Sequence, residues 1–240
     1  MMTKVDEIAP DIYRLSTLVP DIGPTGFTFN QFLVVDDEPL LFHTGHRSMF
    51  AAITTAIETV LPVDRLRWIT FGHVESDECG SMNDFLTAAP MAQVAHGAMG
   101  CMVSLNEMAD RAPRVLGDGE VLVTGSKRFR HLDTPHVPHN WESRVLFEET
   151  TGTLFAGDLF THFGDGPAVT DSDIVEAAVI AEDMMGASSL SATTPATITR
   201  LAGLAPTTMA LMHGSSYTGD CGAALTALAT DYSRRIAAIH

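Results

Sequence analysis

The stretch FGHVESDECGS, residues 71–81, directly follows the apolar run LRWITF at residues 66–71. Within it, His73, Glu75 and Asp77 occupy alternate positions, and alternate residues at the end of a strand point into one cleft. All three side-chain types bind metals, and a carboxylate between the other two makes the ligand set richer in hard oxygen donors. The stretch therefore predicts a metal site that favours iron or manganese over zinc.

Three further places in the chain offer metal ligands beside apolar runs. His136 and His139 lie in PHVPHNW, Asp158 lies in LFAGDLF, and His213 lies in MALMHGS. A lone histidine at a strand end is more often a satisfied polar residue than a ligand. All of these places nevertheless fall at the ends of apolar strands, where open α/β sheets bind ligands. Their conjunction predicts a dinuclear metal site.

The remaining pattern mixes short strands with helices. Strands are predicted at residues 11–17, 27–35, 40–42, 66–71, 92–96, 121–123, 129–132, 143–148, 153–156 and 208–212. Helices are predicted at residues 49–61, 80–89, 99–109, 171–185, 194–204 and 222–239. Met99, Met102 and Met108 have helical spacing and are predicted to face the core. Because no linker or low-complexity tract interrupts the pattern, we expect one domain over residues 1–240.

Two stretches echo each other along the chain. FLVVDDEPLLFHTG at residues 32–45 and VLFEETTGTLFAGD at residues 145–158 both read as strand, acidic turn, strand and a small-residue stop. The echo suggests two related halves, although a chance match between two hairpins explains it equally well.

The composition excludes several classes of protein. Hydrophobic residues make up 45% of the 240-residue chain, as in compact globular proteins. The formal net charge of −16 disfavours nucleic acid and anionic membranes as partners, since both are polyanions. No apolar run reaches the length of a signal-peptide core or a membrane span. Three cysteines build no disulfide framework. We expect a cytoplasmic protein with no nucleic-acid or membrane partner.

Taken together, these motifs resemble the metallo-β-lactamase superfamily. That resemblance implies an α/β fold, a metallo-β-lactamase-like αββα four-layer sandwich with a dinuclear site at its strand ends. The hydrolases of the superfamily carry His-x-His-x-Asp-His, whereas Glu75 here stands at the second histidine. This exchange is similar to the di-iron domain of flavodiiron proteins, which reduce oxygen or nitric oxide, and to stand-alone oxygen-binding di-iron proteins.

The resemblance implies a ligand set for two iron ions. Eighteen residues separate His139 from Asp158, which is the family's interval and favours His139 over His136. The first metal is then expected to bind His73, Glu75 and His139, the second to bind Asp77 and His213, and Asp158 to bridge the two. Manganese and zinc remain alternatives to iron.

The chain departs from the family pattern in two ways. Glu78 stands where the family usually has histidine, so that it either gives a carboxylate to the second metal or leaves that position open. No flavodoxin-like segment is present, so we expect no flavin in this chain and an external electron donor for any repeated reduction. A homodimer is expected from the family alone.

Other polar residues near the motifs have weaker assignments. His162, four residues after Asp158, is a candidate for lining the oxygen pocket, and Tyr217 is a candidate for reaching the cleft. His43 stands where the fold often has the aspartate of Asp-Thr-Gly, and we interpret it as structural.

Three functional classes follow from this reading. The favoured one is a non-haem di-iron protein that binds dioxygen, as a sensor or store, or reduces it with electrons from an external donor. The alternative is a dinuclear hydrolase that acts on an ester, thioester or phosphodiester. A metal-free binding module is the least favoured, because the expected ligands are present. The physiological signalling partner is not identified by the sequence.

Overall fold

The computed structural model describes residues 2–239 and contains two seven-stranded sheets. In the first sheet the strands follow chain order, antiparallel from β1 to β4 and parallel from β4 to β7. Its strands are β1 (Thr3–Ala9), β2 (Ile12–Val19), β3 (Phe27–Val34), β4 (Leu40–Phe42), β5 (Trp68–Thr70), β6 (Gln93–Gly97) and β7 (Arg114–Leu116).

The second sheet is mixed and has the strand order β12-β14-β13-β11-β10-β9-β8. Its strands are β8 (Val121–Val123), β9 (Arg128–Asp133), β10 (Arg144–Glu148), β11 (Thr153–Gly157), β12 (Val169–Thr170), β13 (Thr208–Leu211) and β14 (Ser216–Tyr217). β8 to β11 are antiparallel, and β13 then pairs parallel with β11.

Helices cover the outer face of each sheet. They are α1 (Phe50–Glu58), α2 (Ser76–Cys79), α3 (Met82–Ala88), α4 (Ala98–Gly100), α5 (Asn106–Met108), α6 (Val175–Met185), α7 (Thr194–Ala202) and α8 (Cys221–Ile239). One buried cluster joins α1 and α3 to the first sheet, and another joins α6, α7 and α8 to the second sheet. A third cluster lies between the sheets. These layers confirm the predicted αββα sandwich.

Strand β3 shows how the sequence builds this sandwich. All eight of its residues are buried, because the strand has a neighbouring layer on each face. Phe29 and Leu33 belong to the cluster on the helix side, whereas Phe32 and Val34 belong to the cluster between the sheets. This two-residue alternation follows from the pleat of the strand.

The two echoing stretches of sequence form corresponding hairpins. Phe32 pairs with Phe42 across β3 and β4, and Leu146 pairs with Phe155 across β10 and β11. The hairpins face each other, since the rings of Phe42 and Phe155 lie 5.1 Å apart between the sheets. Both predicted hairpins are therefore confirmed, one in each sheet.

Several local predictions are wrong. The edge strand β1 was not predicted, because its sequence TKVDEIA alternates weakly and is mostly half-exposed. The helix predicted from residue 171 begins at Val175, after the short strand β12.

The prediction that the methionines of residues 99–109 face the core is also wrong. Met99, Met102 and Met108 are 42%, 67% and 45% exposed. The segment Cys101–Leu105 is π-helical, so its residues do not follow the ordinary helical period. Cys101 and Leu105 point inward instead.

Within residues 2–239, no helix combines the length and the apolar character needed to cross a bilayer.

Asp36 connects the two sheets through their turns. Its carboxylate accepts hydrogen bonds from the Thr124 hydroxyl at 2.7 Å and from the backbone N–H of Lys127 at 2.9 Å. It also accepts hydrogen bonds from the backbone and hydroxyl of Ser126. Partial burial opposes ionisation, but these hydrogen bonds outweigh it and hold the pKa of Asp36 well below its usual range.

We expect Asp36→Asn to lower the free energy of unfolding by about 1–2 kcal/mol at pH 7. Because the native pKa is depressed, the contribution of Asp36 is present above about pH 4 and is lost progressively as the pH falls below it. Urea unfolding at pH 7 and pH 3 measures this difference. Asp37→Asn is the matched control, since the exposed Asp37 carboxylate accepts no hydrogen bond among the described residues. A deficit of equal size at both pH values would contradict this account.

Candidate metal centre

The histidines and acids predicted to bind metal lie at one edge of the two sheets. His73 follows β5, Asp158 follows β11 and His213 follows β13. His139 lies in the loop between β9 and β10. Because β11 and β13 are parallel neighbours, their carboxyl ends reach the same edge of the sheet.

A first group of side chains converges on one point. Four ligand atoms lie within 4.8 Å of one another, and they belong to His73, Glu75, His139 and Asp158. His73 Nε2 is 2.8 Å from Glu75 Oε2 and 2.9 Å from His139 Nε2. Asp158 Oδ2 is 3.3 Å from His139 Nε2. Two imidazoles and two carboxylates thus surround one possible metal position.

A second group shares Asp158 with the first. His213 Nε2 lies 3.4 Å from Asp158 Oδ1 and 3.5 Å from Asp77 Oδ2. Asp158 therefore presents Oδ2 to the first group and Oδ1 to the second. This arrangement fits a carboxylate that bridges two ions.

A hydrogen bond behind the His213 ring and an ion-pair contact behind the His73 ring favour one tautomer of each histidine. His213 Nδ1 lies 2.8 Å from the carbonyl oxygen of Thr28, which only accepts, so Nδ1 carries the proton. His73 Nδ1 lies 3.2 Å from Glu78 Oε1, which favours the same tautomer. The Nε2 atoms of both rings then face the carboxylates. This is the orientation of metal-binding histidines.

The first group attracts positive charge. Burial opposes protonation of His73, but the carboxylates of Glu78 and Glu75 outweigh it and raise the pKa of His73 to about 10. Hydrogen bonds from His139 and His73 lower the pKa of Glu75 to about 2. His73 Nε2 and His139 Nε2 face each other at 2.9 Å, which requires a proton or a metal ion between them. The donor set therefore fits a bound metal ion.

The second group shows the same preference. Burial opposes protonation of His213, but Asp158 and Asp77 outweigh it and raise the pKa of His213 to about 10. Asp77 Oδ1 is buried without a hydrogen-bond partner among the described residues. A buried carboxylate oxygen without a partner is costly, and a divalent cation removes that cost.

Glu78 lies apart from the gathered ligand atoms. It is fully buried, and its Oε2 accepts a 2.7 Å hydrogen bond from the backbone N–H of His73. Its Oε1 lies 3.2 Å from His73 Nδ1 and 3.4 Å from His43 Nε2. This placement favours the second alternative for Glu78, a position left open at the second metal, over a carboxylate ligand. Through these contacts, Glu78 instead holds the His73 ring in its orientation.

His162 and Tyr217 do not line the cavity above the site. His162 Nδ1 donates to the carbonyl oxygen of Phe160 at 2.9 Å, and its Nε2 accepts from the backbone N–H of Ser215 at 3.0 Å. Both ring nitrogens are thus occupied by backbone, and burial lowers the pKa of His162. Tyr217 packs in the cluster between the second sheet and its helices. Both expected roles in the pocket are corrected by these placements.

A cavity of about 210 Å³ opens above the metal centre. Its floor is formed by candidate ligands from both groups. Its apolar wall includes Ile22, Phe27, Phe160, Ala178 and Met185. Because the cavity is small and mostly apolar, it suits a small ligand that has few polar groups.

Part of the cavity wall was not predicted from the sequence. Tyr232 on α8 lies with its hydroxyl 2.9 Å from Ser188 Oγ, which donates to Glu182 Oε2 at 2.9 Å. All three residues line the cavity. No local motif marks them, because the packing of α6 against α8 brings them to the site.

The fold and the paired groups of candidate ligands are those of the metallo-β-lactamase superfamily. Residues 27–214 match the family model described as ODP family beta lactamase, and the chain belongs to that family.

The matches to proteins of known name extend over only part of each sequence. The type A flavoprotein of Rhodobacter capsulatus is 25% identical over 178 residues, which cover 68% of this chain and 41% of that protein. The rubredoxin-oxygen oxidoreductase of Megalodesulfovibrio gigas is 23% identical over 141 residues, which cover 58% of this chain and 35% of that protein. The chain therefore spans less than half the length of these relatives.

Solved structures with low sequence identity share the fold. Rubredoxin oxygen:oxidoreductase from Desulfovibrio gigas has a TM-score of 0.78 at 18% identity, covering 96% of this chain and 62% of that one. The flavodiiron protein from Giardia intestinalis has a TM-score of 0.81 at 15% identity, with coverage of 97% and 60%. A diflavin flavoprotein fragment from Nostoc reaches 0.82 at 16% identity, with coverage of 100% and 98%. The predicted resemblance to flavodiiron domains is confirmed.

We expect Gly214→Ala to disturb the site next to His213. Gly214 has a φ of +94°, and an added Cβ would lie 2.2 Å from the His162 ring. The backbone strain and the clash together should cost about 3 kcal/mol of unfolding free energy. Gly119→Ala is the control, since Gly119 has a φ of +75° but nothing within 4 Å of an added Cβ.

Urea unfolding and zinc retention after desalting measure both variants. Gly119→Ala should cost about 1 kcal/mol and retain zinc like the unaltered protein. Equal costs for the two variants would show that the approach to His162 is unimportant.

Proposed function

We propose that this protein holds two iron ions and binds dioxygen at the cavity above them. The observation that carries the proposal is the position of Glu75 between His73 and His139, with Oε2 2.8 Å and 3.2 Å from their Nε2 atoms. Together with Asp77 and Asp158, this gives the centre three carboxylates. Oxygen-rich sets with imidazole favour iron or manganese, whereas thiolate and imidazole sets favour zinc.

Held by His73, Glu75 and His139 and by Asp77, His213 and the shared Asp158, two ferrous ions would supply the electrons for dioxygen chemistry. The protein contributes a fixed and partly dry environment for that chemistry. Its three carboxylates offset the positive charge that grows when iron is oxidised. The ring of Phe27 stacks on His213 at 4.1 Å and, with Phe160, lines the apolar side of the cavity.

The same centre supports oxygen sensing, storage or reduction. Relatives are named rubredoxin-oxygen oxidoreductase, which supports a reductase role with a small redox protein as external donor. A sensor or store needs the same ligands without a continuous supply of electrons. The donor or signalling partner is a matter for experiment. The homodimer, the single domain and the cytoplasmic location stay predictions.

A hydrolase is supported less well by the cavity. Among the described residues that line it, none is lysine or arginine, and three carboxylates form its floor. The described lining therefore offers no side-chain cation to hold an anionic phosphodiester beside the metal ions.

The decisive experiment loads metal-free protein with two equivalents of ferrous iron without oxygen and then admits air. We expect two irons per chain to be taken up while ferrous iron is present and a new near-ultraviolet and visible absorption band to form. Asp158→Asn should retain less iron and lose the band, because it weakens the shared ligand. Weak iron retention, no band and preferential zinc uptake would sink the proposal and direct the search to ester substrates.

We expect Glu75→His to shift metal preference toward zinc. The change replaces an oxygen donor of the first group with an imidazole. Competition between ferrous iron and zinc, with bound metal measured after desalting, gives the preference. Glu149→His is a control, since Glu149 pairs with Arg128 and Arg130 outside the site. If Glu75→His keeps the original preference, Glu75 does not determine metal selection.

A further inference from the structure

Glu78 turns away from the metal centre, unlike Glu75 and Asp77. Its two oxygens contact the backbone N–H and the Nδ1 of His73, at 2.7 Å and 3.2 Å. A Cβ added at Gly72 would lie 3.1 Å and 3.2 Å from the same oxygens, so the carboxylate is closely enclosed. Rotation toward the metals would leave the buried N–H of His73 unpaired, which costs about 1–3 kcal/mol. The structure therefore holds the Glu78 carboxylate against His73 and away from the metal positions.

Because Glu78 is held at His73, the two metal positions have unequal numbers of protein donors. The first group provides four donors from two histidines and two acids. The second group provides three, from His213, Asp77 and the shared Asp158. The rear of the first group is also better supported, because a buried carboxylate holds His73, whereas a neutral carbonyl oxygen holds His213.

We propose that the first position binds its ion at least tenfold more tightly than the second, and that the second ion is exchangeable and receives the exogenous ligand. The inference rests on the proposed metal centre and refines it. Metal affinity rises with the number and rigidity of the donors. An ion with three protein donors keeps coordination positions open, and Asp77 and His213 both line the cavity through which a ligand enters.

The test begins with anaerobic titration of the metal-free protein, followed by calorimetry and by metal counting after gel filtration. Ferrous iron alone and zinc alone are titrated in parallel. We expect two separate binding steps, with dissociation constants at least tenfold apart and one ion per chain retained through a metal-free column. A single step that takes up two equivalent ions would overturn the inference.

Three variants assign the steps to residues. Asp77→Asn should abolish the weak step and leave the tight one, whereas Glu75→Gln should weaken the tight step. Glu78→Gln should weaken the tight step by about 10- to 100-fold, because loss of a carboxylate behind a ligating histidine reduces metal affinity by that factor. Asp84→Asn, which alters an acid paired with Arg47 outside the site, should change neither step. Loss of only the weak step in Glu78→Gln would make Glu78 a ligand of the second metal and overturn the inference.

The two metals separate this inference from the proposed function. Two unequal steps with zinc, without retention of iron, support the inference and sink the di-iron proposal. Two irons that bind equivalently, together with an oxygen-dependent band, support the di-iron proposal and overturn this inference. No binding of either metal overturns both.

Discussion

The two ligand groups share one carboxylate, and this makes the metal centre depend on how the two sheets pack. Glu75 and His73 come from the end of the first sheet, whereas Asp158 and His213 come from the second. Asp158 reaches both groups through different oxygens. Functional geometry of this kind must be held within about 0.5 Å. The core between the sheets is therefore part of the site, although none of its residues binds metal.

Holding several charged side chains together in a buried site costs free energy, and contacts with neighbouring residues offset part of that cost. Asp158 has its pKa held well below its usual range, because His213, His73 and His139 outweigh the effect of burial. The Thr28 carbonyl and the Glu78 carboxylate orient the rings whose other nitrogens face the acids. Without an ion, the charges are balanced by protons on the histidines. Metal binding replaces those protons, so that its free energy also stabilises the fold.

The convergence of His73, Asp158 and His213 could be predicted because each follows an apolar run, and the end of a buried strand is a local feature. The sequence did not predict the direction of Glu78, because that direction depends on His43 and Gly72 around it. It also missed the wall at Tyr232, which only the packing of distant helices creates. The methionines near residue 102 were misplaced for a different reason. A π-helical segment shifts the inward face, and the spacing of apolar residues gives no sign of it.

The charge distribution also constrains what enters the cavity. Its floor is acidic, its walls are largely apolar, and the chain as a whole carries a formal charge of −16. The net negative charge of the chain opposes the approach of an anion at long range, and the described lining has no lysine or arginine to hold one beside the metal ions. A neutral diatomic molecule meets no such barrier and loses little hydration on entering an apolar space. The apolar wall above the acids, and not their charge, thus favours a small uncharged ligand.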